Sequence, residues 1–137
     1  MENYFHMHMD AKQVGAISNL GLAHIGDGVF ELLTRSWLCG HERLTVGRMH
    51  KDTIALVQAK AQAKFAEAML PILTEEEKSY YRRGKNSHVH AVPKSCTPAE
   101  YARATGVEAM FGGLYLLGQT DRINELFVTV MEELYGI

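Results

Sequence analysis

Two carboxylates stand where helix packing would not ordinarily put them. Asp27 lies within HIGDGVF (24–30) and Glu108 within TGVEAMFGGLYLLG (105–118), both among apolar and small residues. An unpaired carboxylate in such surroundings is costly to bury, so each must meet a cation, a hydrogen-bond network or water. The two stretches look alike: an acid beside Gly or Ala, with large apolar residues on the opposite face. Helices crossing near Asp27 and Glu108 would bring the carboxylates together. Oxygen-only ligation suits Mg²⁺, or Mn²⁺ in its place, with waters completing an octahedron. So few protein ligands leave positions open for a phosphate oxygen and an attacking water, which phosphodiester hydrolysis requires. The competing reading pairs the acids with Arg35, Lys60 or Arg103, or leaves them facing solvent. Gly26 and Gly28 flank Asp27, and Gly112 and Gly113 follow Glu108. A mid-helix glycine costs up to about 1 kcal/mol relative to Ala, which points to close helix–helix or subunit contact, or to room for a ligand. Glu31, one turn beyond Asp27 on the same face, reads equally as an outer support of the site or a surface acid.

A second group of candidates is basic. Residues 43–94 carry ten Lys/Arg against five Asp/Glu, whereas residues 1–42 carry two against five and residues 95–137 two against six. Between Lys78 and Ala99 there are five Lys/Arg and no acid. A locally basic face on a chain of net charge -2 can still attract a phosphate backbone. Arg82, Arg83, Lys85 and Lys94 are therefore candidates for RNA contact, with Asn86 and Ser87 as hydrogen-bonding neighbours, because double-stranded RNA is recognised mainly through shape, 2′-hydroxyls and phosphates. A solvated charge face is the plainer alternative. His6 and His8, and His88 and His90, have a chelating alternation but read first as exposed or phosphate-contacting groups. His24 reads as a packing or interface residue, and Tyr101 and Tyr115 as core.

The elements that must position these residues are helical. Apolar residues recur from Asn19 to Leu38 (Leu22, Ile25, Val29, Leu32, Leu33), with Gly40 suited to the residue just past the end. A weaker helix is expected over Leu44–Leu56, and a stronger one over the Ala-rich run 59–70, with Pro71 as its stop or kink. Thr74 with Glu77 forms a capping box that opens a short helix through Tyr80–Arg83, ended by Gly84. Residues 85–96 read as a long loop, hence a functional one. Thr97, Pro98 and Glu100 open a helix running to about Leu117 and closed by Gly118, and Thr120 caps a last amphipathic helix. After an irregular or short-helical lead-in, the expectation is one all-α domain, a bundle of roughly six helices without strands.

The 137 residues suit one domain with a sizeable core. No signal-peptide pattern opens the chain, and no run approaches the roughly 20 apolar residues of a membrane span. The two cysteines, Cys39 and Cys96, lack metal-site spacing and read as free thiols in a reducing cytoplasm.

The acid-bearing helices also carry a resemblance. LAHIGDGVFE (22–31) resembles the signature helix of ribonuclease III, and ATGVEAMFGGLYLLG (104–118) its second catalytic helix. With HKDTIALVQAKAQAK (50–64), YYRRGKNSHVHAVPKS (80–95) and the Tyr-x-x-x-Thr-Gly-x-Glu-Ala run (101–109), the chain is similar to the Mini-ribonuclease III branch over about residues 17–135. The resemblance implies a ribonuclease III-like catalytic bundle over 1–137, without a separate double-stranded-RNA-binding domain. It implies Asp27 and Glu108 as catalytic, metal-binding residues, and the segment around Arg82–Lys94 as the substrate-contacting loop. It further implies a symmetric homodimer formed largely by the signature helices, with metal-activated water cutting each strand to leave 5′-phosphate and 3′-hydroxyl ends and a short 3′ overhang. The expected substrate is precursor 23S ribosomal RNA, in a cytoplasmic role that admits a ribosomal-protein helper. The fuller ribonuclease III pattern has further carboxylates where this chain has Ala23 and Thr105, a reduction that the branch shares. Their loss leaves open an alternative: a non-catalytic double-stranded-RNA-binding or ribosome-assembly factor on the same fold. A helical protein-interaction module is a third reading, supported only by the net charge.

Overall fold

Side chains start most of the helices. Ser18 Oγ accepts from the Gly21 amide (3.0 Å), and reciprocal capping boxes join Asp10 to Gln13, Thr74 to Glu77 and Thr97 to Glu100, each satisfying amides that a helix leaves unbonded at its first turn. The computed structural model describes residues 1–41, 45–87 and 91–136. Its elements are α1 (Ala11–Gly15), α2 (Asn19–Gly40), α3 (Val46–Val57), α4 (Ala59–Met69), a 3₁₀ turn (Leu70–Ile72) containing Pro71, α5 (Glu75–Lys85), α6 (Pro98–Leu116) and α7 (Thr120–Tyr135). The fold is all-α, and no strand occurs among the described residues.

Several boundaries differ from expectation for physical reasons. The helices number seven rather than roughly six among the described residues, because the lead-in forms the short α1. Leu44, His88 and His90 lie outside the described residues. Gly40 is the last residue of α2 rather than the residue past it, and His41 caps the end at φ -106. Thr120 begins α7 without capping it; Gln119 holds the cap position and makes no side-chain cap bond. Gly118, by contrast, closes α6 as expected, at φ +84, in the left-handed region that favours glycine. Gly84 does not end α5. A Cβ there would stand 2.5 Å from the Thr105 carbonyl oxygen and 2.6 Å from Ala109 Cβ, so the glycine serves close helix packing.

Helix α6 is the axis of the molecule, packed by α2, α5, α4 and α7. Most of its length is buried, including Val107, Met110, Phe111 and Leu114. Phe30 from α2, Phe65 from α4, Phe111 from α6 and Phe127 from α7 meet at one core cluster; Phe30 and Phe65 lie edge to face, with centroids 5.1 Å apart and planes at 87°. Glu77, buried on α5, receives Arg122 of α7 at 2.8 and 3.0 Å, and the same guanidinium donates to the Ile72 carbonyl.

The α2–α6 crossing is the tightest contact. A Cβ on Gly26 would fall onto the Glu108 carbonyl, and one on Gly112 onto the Leu22 carbonyl. The two backbones therefore touch, each glycine accepting the other helix's peptide. Adding a methyl at either position overpacks the crossing, so Gly26→Ala and Gly112→Ala should each lower the unfolding free energy by about 1–3 kcal/mol. Since both relieve the clash by the same separation of α2 from α6, the double variant should lose less than the sum. Urea denaturation of the four proteins measures this.

Candidate functional site

Asp27 follows Gly26 on α2, and Glu108 carries the carbonyl against which Gly26 packs. The glycine crossing thereby brings the two carboxyls close enough for Asp27 to act on the ionisation of Glu108. Asp27 is exposed, whereas Glu108 is largely covered. Burial, the hydrogen bond to Asp27 and that residue's charge raise the Glu108 pKa to about 8. Near neutrality Glu108 thus retains its proton. The cations that sequence reasoning offered as alternative partners are placed elsewhere. Arg35 pairs with Glu31 at 3.5 Å along α2, and Arg103 pairs with Glu67 of α4 at 3.4 Å. No ion pair among the described residues reaches Asp27 or Glu108, from Lys60 or any other cation.

A hard divalent cation fits this arrangement. Two crowded carboxyls, unpaired with any cation among the described residues, present oxygen donors alone, and burial together with the neighbouring Asp27 raises the Glu108 pKa. Among the described residues no three His, Cys, Asp or Glu side chains gather as a metal cluster, so the protein's share of a ligand set here would be two carboxylates, with water left to complete it. The neighbouring positions are apolar or internally bonded. Ala23 is buried in the core, and Thr105 is buried with its Oγ1 donating to the Tyr101 carbonyl at 2.9 Å.

The basic candidates divide. Arg82, Lys85, Asn86 and Lys94 are exposed at the end of α5 and in the segment after it. Arg83 is half-buried and turned inward: its Nε donates to Asn19 Oδ1 at 2.6 Å and its Nη2 to the Ile17 carbonyl. Asn19 was not among the residues that spacing singled out, and no local signal marks a partner 64 positions away. His6, His8 and His24 are exposed, Tyr101 and Tyr115 half-buried, and Cys39 and Cys96 free.

The model of the ribonuclease III domain matches residues 20–119, which include both acid-bearing helices. The chain belongs to the ribonuclease III family, in its Mini-ribonuclease III branch. It is 43% identical over 107 residues to the Mini-ribonuclease 3 of Symbiobacterium thermophilum, covering 78% of this chain and 82% of that one. It is 40% identical over 121 residues to the Mini-ribonuclease 3 of a Thermoanaerobacter species, covering 86% and 85%. A crystal structure of a Fusobacterium nucleatum protein superposes with a TM-score of 0.79 at 31% identity, over 88% of this chain and 97% of that one. Membership in this family places the chain among endoribonucleases.

The carboxyl pair makes stability depend on pH. A pKa of about 8 in the folded protein, against 4.5 for an ordinary glutamate, means the folded state holds a proton that the unfolded state has released between those values. Stability is then full below about pH 4.5 and falls as pH rises through about 8. With EDTA present, the melting temperature of the wild type should decline across this window, while Glu108→Gln, unable to ionise, should show a flatter profile.

Proposed function

We propose that this ribonuclease III-family protein is a double-strand-specific endoribonuclease that depends on Mg²⁺, with Asp27 and Glu108 as its catalytic, metal-holding residues. The observation that carries this reading is the meeting of the two carboxyls at the Gly26 crossing, with no ion pair reaching them among the described residues. Mg²⁺ bound there, or Mn²⁺ in its place, supplies Lewis acidity toward a phosphoryl oxygen and a coordinated water of lowered pKa. Asp27 would be the exposed, accessible ligand and Glu108 the covered one, holding the cation in its ionised form. Arg82, Lys85, Asn86 and Lys94 present donors to phosphates and sugars of the duplex, which sets its position without reading its sequence. The products are 5′-phosphate and 3′-hydroxyl ends. Precursor 23S ribosomal RNA is the proposed substrate, in the cytoplasm, with a ribosomal protein as an admissible helper. Among the described residues no helix is long and apolar enough to cross a membrane.

A homodimer across α2 completes this proposal. Leu20, His24, Gly28 and Leu32 recur at four-residue spacing along α2 and all are exposed, Leu20 by 47% and Leu32 by 55%. Beyond its own turn of helix, no described atom lies within 4 Å of where a Gly28 Cβ would stand, so no contact among the described residues accounts for that mid-helix glycine. Farther along, Arg35, Cys39, Val46 and Met49 line a cleft of about 410 Å³ between α2 and α3. An apolar stripe bearing an unexplained glycine suits the same stripe on a second copy, and two sites related by a two-fold axis suit antiparallel strands.

Two experiments test these readings. Wild type with Mg²⁺ should cut both strands of an end-labelled, perfectly paired RNA duplex with a 3′ offset. EDTA and Asp27→Asn should each abolish cutting, while Asp27→Asn retains duplex binding; a folded wild type that binds but never cuts would instead favour the non-catalytic RNA-binding factor. Sedimentation should show a dimer that Leu32→Glu dissociates. Gly28→Ala should weaken that dimer too, although in a lone solvent-facing helix the change would stabilise by about 1 kcal/mol.

A further inference from the structure

We infer that Arg83 is a positioning residue that braces the RNA-facing end of α5 against the helix bearing Asp27, rather than one of the phosphate contacts its basic neighbours make; this rests on the RNA-cleaving reading above. The guanidinium recognises phosphate best through a two-donor edge. The Nε–Nη2 edge of Arg83 is already taken, by Asn19 Oδ1 at 2.6 Å and by the Ile17 carbonyl. Ile17 precedes the N-cap Ser18, so its carbonyl lies outside the α2 hydrogen-bond ladder and has the guanidinium as a partner. Turning that edge to a phosphate would strip two half-covered acceptors of their donor. Arg82 and Lys85 on either side are exposed and carry no such commitment.

The position of this brace suits a role in alignment. Asn19 lies on α2 eight residues before Asp27, about 12 Å along the helix axis. Adjacent to Arg83, Gly84 packs its backbone on Thr105 and Ala109 of α6, flanking Glu108 in sequence. The last turn of α5 is thus held by both carboxyl-bearing helices, on one side through Arg83 and on the other through Gly84. The chain then enters the segment that carries Lys85, Asn86 and Lys94. The brace therefore sets the angle at which these groups meet the duplex relative to the Asp27–Glu108 pair.

The test compares Arg83→Gln, Asn19→Ala, their double variant and Arg82→Ala with wild type. Three readouts are taken: single-turnover cleavage of an RNA duplex, duplex affinity as a function of salt, and hydrogen exchange of amides 84–87 without RNA. The inference expects Arg83→Gln and Asn19→Ala each to slow cleavage about tenfold or more, to speed exchange at 84–87, and to leave the salt slope of binding at the wild-type value. The double variant should be no worse than Arg83→Gln, since the two residues form one contact. Arg82→Ala should reduce the salt slope by about 0.7 to 0.9, the loss of one phosphate contact, without altering exchange. A slope lowered by Arg83→Gln together with a wild-type Asn19→Ala overturns the inference. Unchanged exchange in both variants also overturns it, even if the wild type cuts no RNA, whereas faster exchange with an inactive wild type keeps the brace and sinks only the cleavage reading. Asn19→Ala leaves every charge in place, so it decides the matter should Arg83→Gln fold poorly.

Discussion

Everything at the site depends on two helix backbones being allowed to touch. Gly26 accepts the Glu108 carbonyl and Gly112 accepts the Leu22 carbonyl, so α2 and α6 approach more closely than any pair of side chains would permit. That single crossing does two things at once. It drives Phe30 and Phe111, each three residues beyond a carboxylate, into the shared aromatic core. It also forces Asp27 and Glu108 together at the edge of that core, where water is partly excluded and two negative groups cannot both ionise comfortably. The stability of the core therefore holds in place an electrostatically unfavourable pair, the kind of strain that marks functional sites.

The distribution of cations sharpens this contrast. Arg35, Arg103 and Arg122 are each paired with an acid of the same chain, and Arg122 with Glu77 forms a part-covered bidentate link between α5 and α7. The Arg103 and Arg122 pairs join helices, and among the described residues no ion pair reaches Asp27 or Glu108. Three of the exposed cations, Arg82, Lys85 and Lys94, lie at the end of α5 and in the segment after it. Ala23 and Thr105 are taken up by packing and by a helix-internal hydrogen bond, which explains how the site can be built around a carboxylate pair.

Much of this was legible in the chain itself because the relevant forces are local. The capping boxes at Thr74 and Thr97 act over three residues, the helical period of α2 and α7 over one turn, and the left-handed Gly118 at one residue; each can be read without knowing what packs against it. Asp27 and Glu108 stood out because a carboxylate among apolar neighbours conflicts with burial wherever the helix goes. What could not be read was anything decided by a distant partner. Gly84 has the local appearance of a helix stop, but its function is contact with Thr105 and Ala109. Arg83 looks like one more cation in a basic run, but its hydrogen bonds reach Asn19 and Ile17, more than sixty residues upstream. Leu32 fits the apolar period of α2 and is nonetheless half-exposed.

The sequence by itself determined the all-helical class, the family and the two acids set among apolar neighbours, since propensity, periodicity and the cost of a misplaced charge are properties of short stretches. Only the tertiary structure decided which glycine lets the helices touch, which carboxyl is covered and which arginine turns inward to Asn19 and Ile17. Those outcomes depend on close approach between residues far apart in the chain, where sub-ångström differences in packing set the energies and no local pattern encodes them.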